Sequence, residues 1–245
     1  MNPRITLAIA LRVLAQLRHD RRTVALLLIV PCLLMALLWW IYIDSPQVFD
    51  RVGGPLLVVF PFVIMFLITS VTTLAERTSG TLERLLAMPM NKVDFLLGYA
   101  LAFAVVAIVQ SALTSGLALW LLDLSVAGSV LSLMVIAVLN SILGTALGLL
   151  VSAFAQTDFQ AVQFMPAFVV PQILLCGLIA PRDTLPGALS AISDLLPLSY
   201  SVDAINEVTS NPAWSSDLSF NAAIVAAFTL GSLILGAATL RRRTG

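Results

Sequence analysis

The run TVALLLIVPCLLMALLWWIYI, Thr23–Ile43, carries no charged residue. A helix needs about 20 consecutive apolar residues to cross the hydrocarbon core of a bilayer, and this run supplies them. It is too long for the apolar region of a secretory signal peptide and lacks a clear small-residue cleavage site, so it is read as a retained span. Five further stretches pass the same test: Gly53–Ala75, Val93–Leu122, Val130–Ala155, Ala161–Ala180 and Phe220–Leu240. Two of them, Val93–Leu122 and Val130–Ala155, run long, as tilted helices or helices continuing beyond the membrane do. The expected fold class is an all-α integral membrane protein with six transmembrane helices.

Composition supports that reading. Hydrophobic residues make up 60% of the chain, charged residues only 11%, and the mean hydropathy is +1.02. A soluble domain carries about 25% charged residues, so a chain this poor in charge could not cover its own surface in water. No polar stretch between the apolar runs is long enough to be a soluble domain, and residues 1–245 are read as a single transmembrane domain. The 13 basic and 13 acidic residues cancel, which removes the electrostatic case for a nucleic-acid partner. Cys32 and Cys176 both lie inside apolar runs and read as packing residues rather than a disulfide.

Basic residues set the orientation. With the N-terminus in the cytoplasm, Arg4, Arg12, Arg18, Arg21, Arg22, Arg77, Arg84, Lys92, Arg241, Arg242 and Arg243 fall inside and only Arg51 and Arg182 outside, a split of 11 to 2. The expected protein is thus a multi-pass protein of the cytoplasmic membrane with both termini cytoplasmic. Residues 1–22 read as an amphipathic helix lying in the membrane interface. Leu7, Ile9, Leu11, Val13, Leu14 and Leu17 spread over one broad side, while Arg4, Arg12, Gln16 and His19 lie opposite, toward lipid headgroups.

Two polar segments stand out. In the cytoplasmic connection, residues 76–92, Ser79-Gly80-Thr81 is a break and Thr81 is placed to cap a short helix from Leu82. Glu83 lies in its first turn, Leu82, Leu85 and Leu86 share a side, and Pro89 and Asn91 end it. The outer segment, residues 181–219, holds four prolines and two apolar pieces, Leu185–Ile192 and Leu195–Ile205, too short to span. These read as half-inserted or capping helices on the outer side.

What is missing narrows the chemistry. No ionisable residue lies deep in a proposed span; Asp94 and Asp123 sit at edges. Ion-coupled carriers place such groups in the membrane, although Asn140, Gln163 and Gln172 remain available to bind sodium alongside backbone carbonyls. His19 is the only histidine, so neither a histidine triad nor a multi-histidine metal site can be built, and no metal ligands are assigned. No phosphate-binding loop ending in Gly-Lys-Ser/Thr occurs, so this chain has no ATPase site of its own and binds no cofactor. Energy for active transport would have to come from a partner.

Within the spans, Gly144 and Gly148 form a Gly-x-x-x-Gly pair, which suits close helix packing within the chain or between two chains. Gln110, Thr114, Asn140, Gln163 and Gln172 can hydrogen-bond between helices. Phe62 and Phe66 on the second span and Phe164 and Phe168 on the fifth repeat at one-turn spacing. They are packing residues or a surface along which an apolar substrate slides. Pro61, Pro166 and Pro171 can kink the same helices.

The segment Glu76-Arg77-Thr78-Ser79-Gly80-Thr81-Leu82-Glu83-Arg84-Leu85-Leu86, followed by Pro89, resembles the signature after the second span of type-2 ATP-binding cassette (ABC) transporter permeases. Leu196-Pro197-Leu198-Ser199-Tyr200 looks like the Pro-x-x-Tyr segment that precedes their last span. The resemblance covers nearly the whole chain, with two departures: Tyr99 stands where many relatives have a basic residue, and Asn206 where many have arginine. It implies that the loop helix is a coupling helix docking into a separate ABC ATPase subunit. By the same likeness Glu76, Arg77, Gly80, Thr81, Glu83, Arg84 and Leu85 make that contact, and Pro197 and Tyr200 mark the outer motif. ATP and Mg would be bound by the partner, and two permease chains, identical or homologous, would complete the unit. The expected function is export of a hydrophobic or amphiphilic compound (drug, antibiotic or lipid-like). The alternatives are an ion-coupled carrier, which transports without an ATPase, and a scaffold or intramembrane enzyme, for which Asp194 and Asp203 are the available carboxylates.

Overall fold

The computed structural model describes residues 2–79 and 92–239, and of Arg77, Lys92 and Asp158 the backbone only. Among the described residues every regular element is helical. Helix α1 (Pro3–His19) begins where the Asn2 side chain accepts the Arg4 N–H at 3.1 Å, with Pro3 at its first position. Asp20 ends it and in turn caps α2 (Arg21–Ile41), accepting the Thr23 N–H at 3.2 Å. The two helices therefore meet at a single residue.

Helix α3 (Pro46–Thr78) has 33 residues and is about 50 Å long. It starts seven residues before the expected Gly53, because Pro46 preorganises the first turn and Phe49 is buried in the core. Helices α4 (Lys92–Trp120), α5 (Val130–Ser152) and α9 (Ser216–Thr239) follow the expected spans to within a few residues. Helix α6 (Asp158–Leu175) does not reach the expected Ala180. Its apolar stretch Phe159–Leu175 is about 26 Å long, short of the ~30 Å hydrocarbon core. Gly177, at φ +92°, turns the chain away, and Pro181 follows. The described chain thus has five helices long and apolar enough to cross a membrane, α2, α3, α4, α5 and α9, plus the shorter α6.

Helix α5 is the centre of the bundle. Thirteen of its residues are buried, and it packs against α3, α4 and α9. Its contact with α3 repeats every turn: the Asn140 Nδ2 donates to the Val58 carbonyl at 2.6 Å, and Gly144 and Gly148 lie against the carbonyls of Phe62 and Phe66. Residue n of α5 thus faces residue n − 82 of α3 at three successive turns, which requires the helices to run in the same direction. A Cβ at Gly144 would stand 2.5 Å from the Phe62 oxygen, and one at Gly148 2.6 Å from that of Phe66. Backbone meets backbone here, the close approach that small residues permit in lipid.

Polar side chains tie the remaining helices. Gln110 of α4 donates to the Leu27 carbonyl of α2 at 2.8 Å, and the hydroxyls of Ser111 and Ser141 join α4 to α5 at 3.0 Å. Thr114 bonds back to Gln110 and contacts Cys32. Gln163, by contrast, is exposed on α6.

Beyond α6 the chain makes a 3-10 turn (Arg182–Thr184), α7 (Gly187–Ser193) and α8 (Pro197–Ser210), where the two short apolar pieces were expected. Helix α8 is no peripheral cover. Its residues Leu198, Val202, Ala204 and Ile205 join the main core, packed against α9, α3 and α5.

Candidate functional site

The connection between α3 and α4 is the segment with the most specific sequence pattern. Gly80, Thr81, Glu83, Arg84 and Leu85, with the expected helix from Leu82 and Pro89, lie outside the described residues, as do Arg241, Arg242 and Arg243. Its two roots are described. Glu76, in the last turn of α3, is buried, and both carboxylate oxygens accept from Arg12 Nη2 at 3.2 Å. The Glu76 carboxylate is thus directed toward α1. Arg77, beside it, is described by its backbone alone.

Asp94, in the first turn of α4, is 1% exposed and accepts the Asn2 N–H at 2.9 Å and the Thr6 hydroxyl at 3.4 Å. Both roots are therefore bonded to α1 or its cap. The apolar side of that helix is divided: Ile9, Ala10, Val13 and Leu17 pack on Phe95, Leu96, Tyr99 and Phe103, whereas Leu7 and Leu11 are exposed. Arg12, expected to point toward headgroups, reaches inward to Glu76. The Tyr99 hydroxyl and Arg12 Nη1 are buried beside the Glu76 carboxylate. Periodicity in the sequence marks α1 as amphipathic but carries no signal for these cross-chain bonds.

At the other end of the bundle, the outer motif organises a second polar cluster. Pro197 starts α8, and the Tyr200 hydroxyl donates to the Asp194 carbonyl at 2.8 Å. Arg182 is the hub. It donates to Asp203, to Asp194 at 2.6 Å and to the Ser193 hydroxyl at 3.0 Å, and it lies 5.2 Å from the centre of the Tyr200 ring. The Asp203 carboxyl is pushed above its ordinary value by burial, against the opposing pull of Arg182. A cleft of about 700 Å³ opens beside this cluster, with Asp50, Arg51, Leu178, Ile179, Asp203 and Asn206 in its wall. Asp194 and Asp203 share one guanidinium and so form an ion-pair cluster rather than an acid–base pair.

The aromatic pairs part company. Phe62 and Phe66 are fully buried in the main core with their carbonyls on Gly144 and Gly148, so this pair offers no surface in this structure. Phe168 is 49% exposed and stands edge-on to the half-buried Phe164 at 6.2 Å on α6. Only the second pair borders the surface.

A long-helix bundle with apolar outer faces, a buried polar seam and two polar ends defines a multi-pass membrane protein. The sequence profile described as "ABC-2 type transporter" matches residues 5–209, and the chain belongs to that family. It is 26% identical over 144 residues, 59% of its length, to the Escherichia coli (strain K12) protein named "Probable multidrug ABC transporter permease YbhR", covering 39% of it. It is 25% identical over 181 residues, 74% of its length, to "Linearmycin resistance permease protein LnrN" of Bacillus subtilis (strain 168), covering 47% of it. A third relative is "ABC transporter G family member 20" of Dictyostelium discoideum, 23% identical over 58% of this chain and 19% of that one. The chain thus matches less than half the length of these relatives.

Proposed function

We propose that this chain is the membrane subunit of an ABC exporter that moves a hydrophobic or amphiphilic compound outward, driven by ATP and Mg bound in a separate ATPase subunit. The carrying observation is the family match together with the signature between α3 and α4. Two relatives are named for multidrug transport and for linearmycin resistance, which favours export of an amphiphilic cargo. In this reading residues 76–92 dock on the ATPase, with Gly80, Thr81, Glu83, Arg84 and Leu85 at the contact and Glu76 and Arg77 at its base. A second permease chain completes the unit, both termini are cytoplasmic, and the α6 face bearing Phe164 and Phe168 lies along the cargo path.

The test is Glu83→Arg. The variant is expected to insert and accumulate like wild type while ATP hydrolysis no longer drives efflux of a fluorescent amphiphile from cells. Wild-type efflux by this variant refutes the assigned contact.

A further inference from the structure

The elbow where α1 meets α2 carries positive charge that its own surroundings do not answer. Five arginines fall in residues 1–22, and Asp20 is the single acidic residue before Asp44. Arg12 is turned inward to Glu76. Asp20 is committed to α2, where its carboxylate accepts the N–H and the hydroxyl of Thr23. Arg18 and Arg21 are exposed, and among the described residues neither is in an ion pair. They stand with Leu11, Leu14, Ala15 and His19 in the wall of a cleft of about 710 Å³, whose described lining holds no carboxylate. The His19 ring is tied back, its Nδ1 donating to the Ala15 carbonyl at 2.7 Å, so the two guanidiniums supply the charge.

Apolar surface leads away from the cleft. On α1, Leu7, Leu11 and Leu14 align with Arg18 at helical spacing, on a different side from the residues packed on α4, and Leu7 and Leu11 are 52% and 58% exposed. On α2, Leu26, Ile29, Leu33 and Leu37 form an exposed line about 17 Å long. Half of the ~30 Å hydrocarbon core is about 15 Å, so this line covers the depth of one leaflet.

We propose that the α1–α2 elbow binds one anionic phospholipid, its phosphate held between Arg18 and Arg21 and an acyl chain laid along the exposed face of α2. Guanidinium forks match phosphate oxygens in pairs, which a lipid merely adjoining the protein does not exploit. The site also selects by charge. A zwitterionic headgroup brings its own cation beside the two arginines, and Asp20, the one nearby carboxylate, is already occupied. A headgroup with net negative charge, such as phosphatidylglycerol, meets no such cost. With the N-terminus cytoplasmic, the lipid belongs to the cytoplasmic leaflet; the binding itself does not depend on that sidedness.

The test is native mass spectrometry of the full chain in mild detergent, with dioleoyl phosphatidylglycerol and dioleoyl phosphatidylcholine as competing probes. Each surface arginine is worth roughly fivefold in affinity for anionic lipid, so wild type is expected to prefer phosphatidylglycerol by about 25-fold. The double variant Arg18→Gln/Arg21→Gln is expected to bring that preference within about twofold. Arg4→Gln, which removes the same charge about 21 Å away along α1, is expected to keep it. Arg18→Lys/Arg21→Lys, which keeps the charge and loses the forks, is expected to fall between, and it decides the matter where the glutamine pair fails to fold. Equal retention of the two lipids by wild type overturns the site, as does a preference that survives in the double variant. A loss just as large in Arg4→Gln also overturns it, since the attraction is then diffuse. Displacement of the lipid by millimolar inorganic phosphate would assign the cleft to a soluble anion instead. A dimer that carries no lipid would assign it to a second copy of the chain.

Discussion

At Asp203 two influences of opposite sign meet, and their balance is measurable. Burial beside the outer cleft disfavours the charged carboxylate, Arg182 favours it, and burial prevails, so the folded carboxyl binds its proton more tightly than the unfolded one. Between the ordinary carboxylate value and the raised one the folded state holds more protons. Stability therefore falls as pH rises through that window and levels off above it. Asp203→Asn removes the titration, and unfolding temperature followed from pH 4 to 7 is expected to fall less steeply in the variant. An unchanged slope would assign the dependence elsewhere. Arg12 illustrates the limit of the sequence at this scale. Helical periodicity places it opposite the leucines of α1, which is correct, yet that side faces Glu76 of α3. A direction around one helix does not specify the neighbour that will stand there.

Among the helices, the repeated contact of α5 with α3 is the firmest mechanical feature. Gly144 and Gly148 are legible in the sequence as a close-packing pair, but whether the partner helix belongs to the same chain is not. The carbonyls of Phe62 and Phe66 supply the answer here. Gly148→Leu drives a side chain into backbone and is expected to cost roughly 3 kcal/mol or prevent folding. Gly231→Ala, in α9 with nothing within 4 Å of the added methyl, is expected to be neutral or slightly stabilising. Thermal unfolding in mild detergent compares the two, and equal losses would contradict this packing. Helix α6 ends before the expected Ala180 for an identifiable reason. Leu174-Leu175-Cys176-Gly177-Leu178-Ile179-Ala180 is apolar throughout, so hydropathy runs past the point where Gly177 adopts positive φ. Helix α3 begins before the expected Gly53: Gln47, Asp50 and Arg51 are polar, yet Pro46 and the buried Phe49 bring them into its first turns.

For the whole molecule, the class was legible from composition, run length and one loop signature, because lipid imposes length and polarity on every span. The buried Asp94 and Glu76, and their bonds to α1, were not, since they join positions far apart in the chain. The basic residues predict the sidedness. In a chain with Cys32 and Cys176 replaced by alanine, a cysteine at Asn211 is expected to react with an impermeant thiol reagent on intact cells. One at Arg4 is expected to react only after permeabilisation. The reverse pattern would invert the topology and remove the 76–92 connection from the cytoplasm.

The account stands or falls on the partner. Affinity purification of the chain in mild detergent from its native host, followed by identification of bound proteins and a Mg-ATPase assay, tests it most directly. A co-purifying ABC ATPase subunit with activity, both lost in Glu83→Arg, is the expected result. A stable, well-folded chain that brings down no ATPase under several mild conditions would contradict the proposal and direct attention to Asn140, Gln163 and Gln172 as an ion-coupled site.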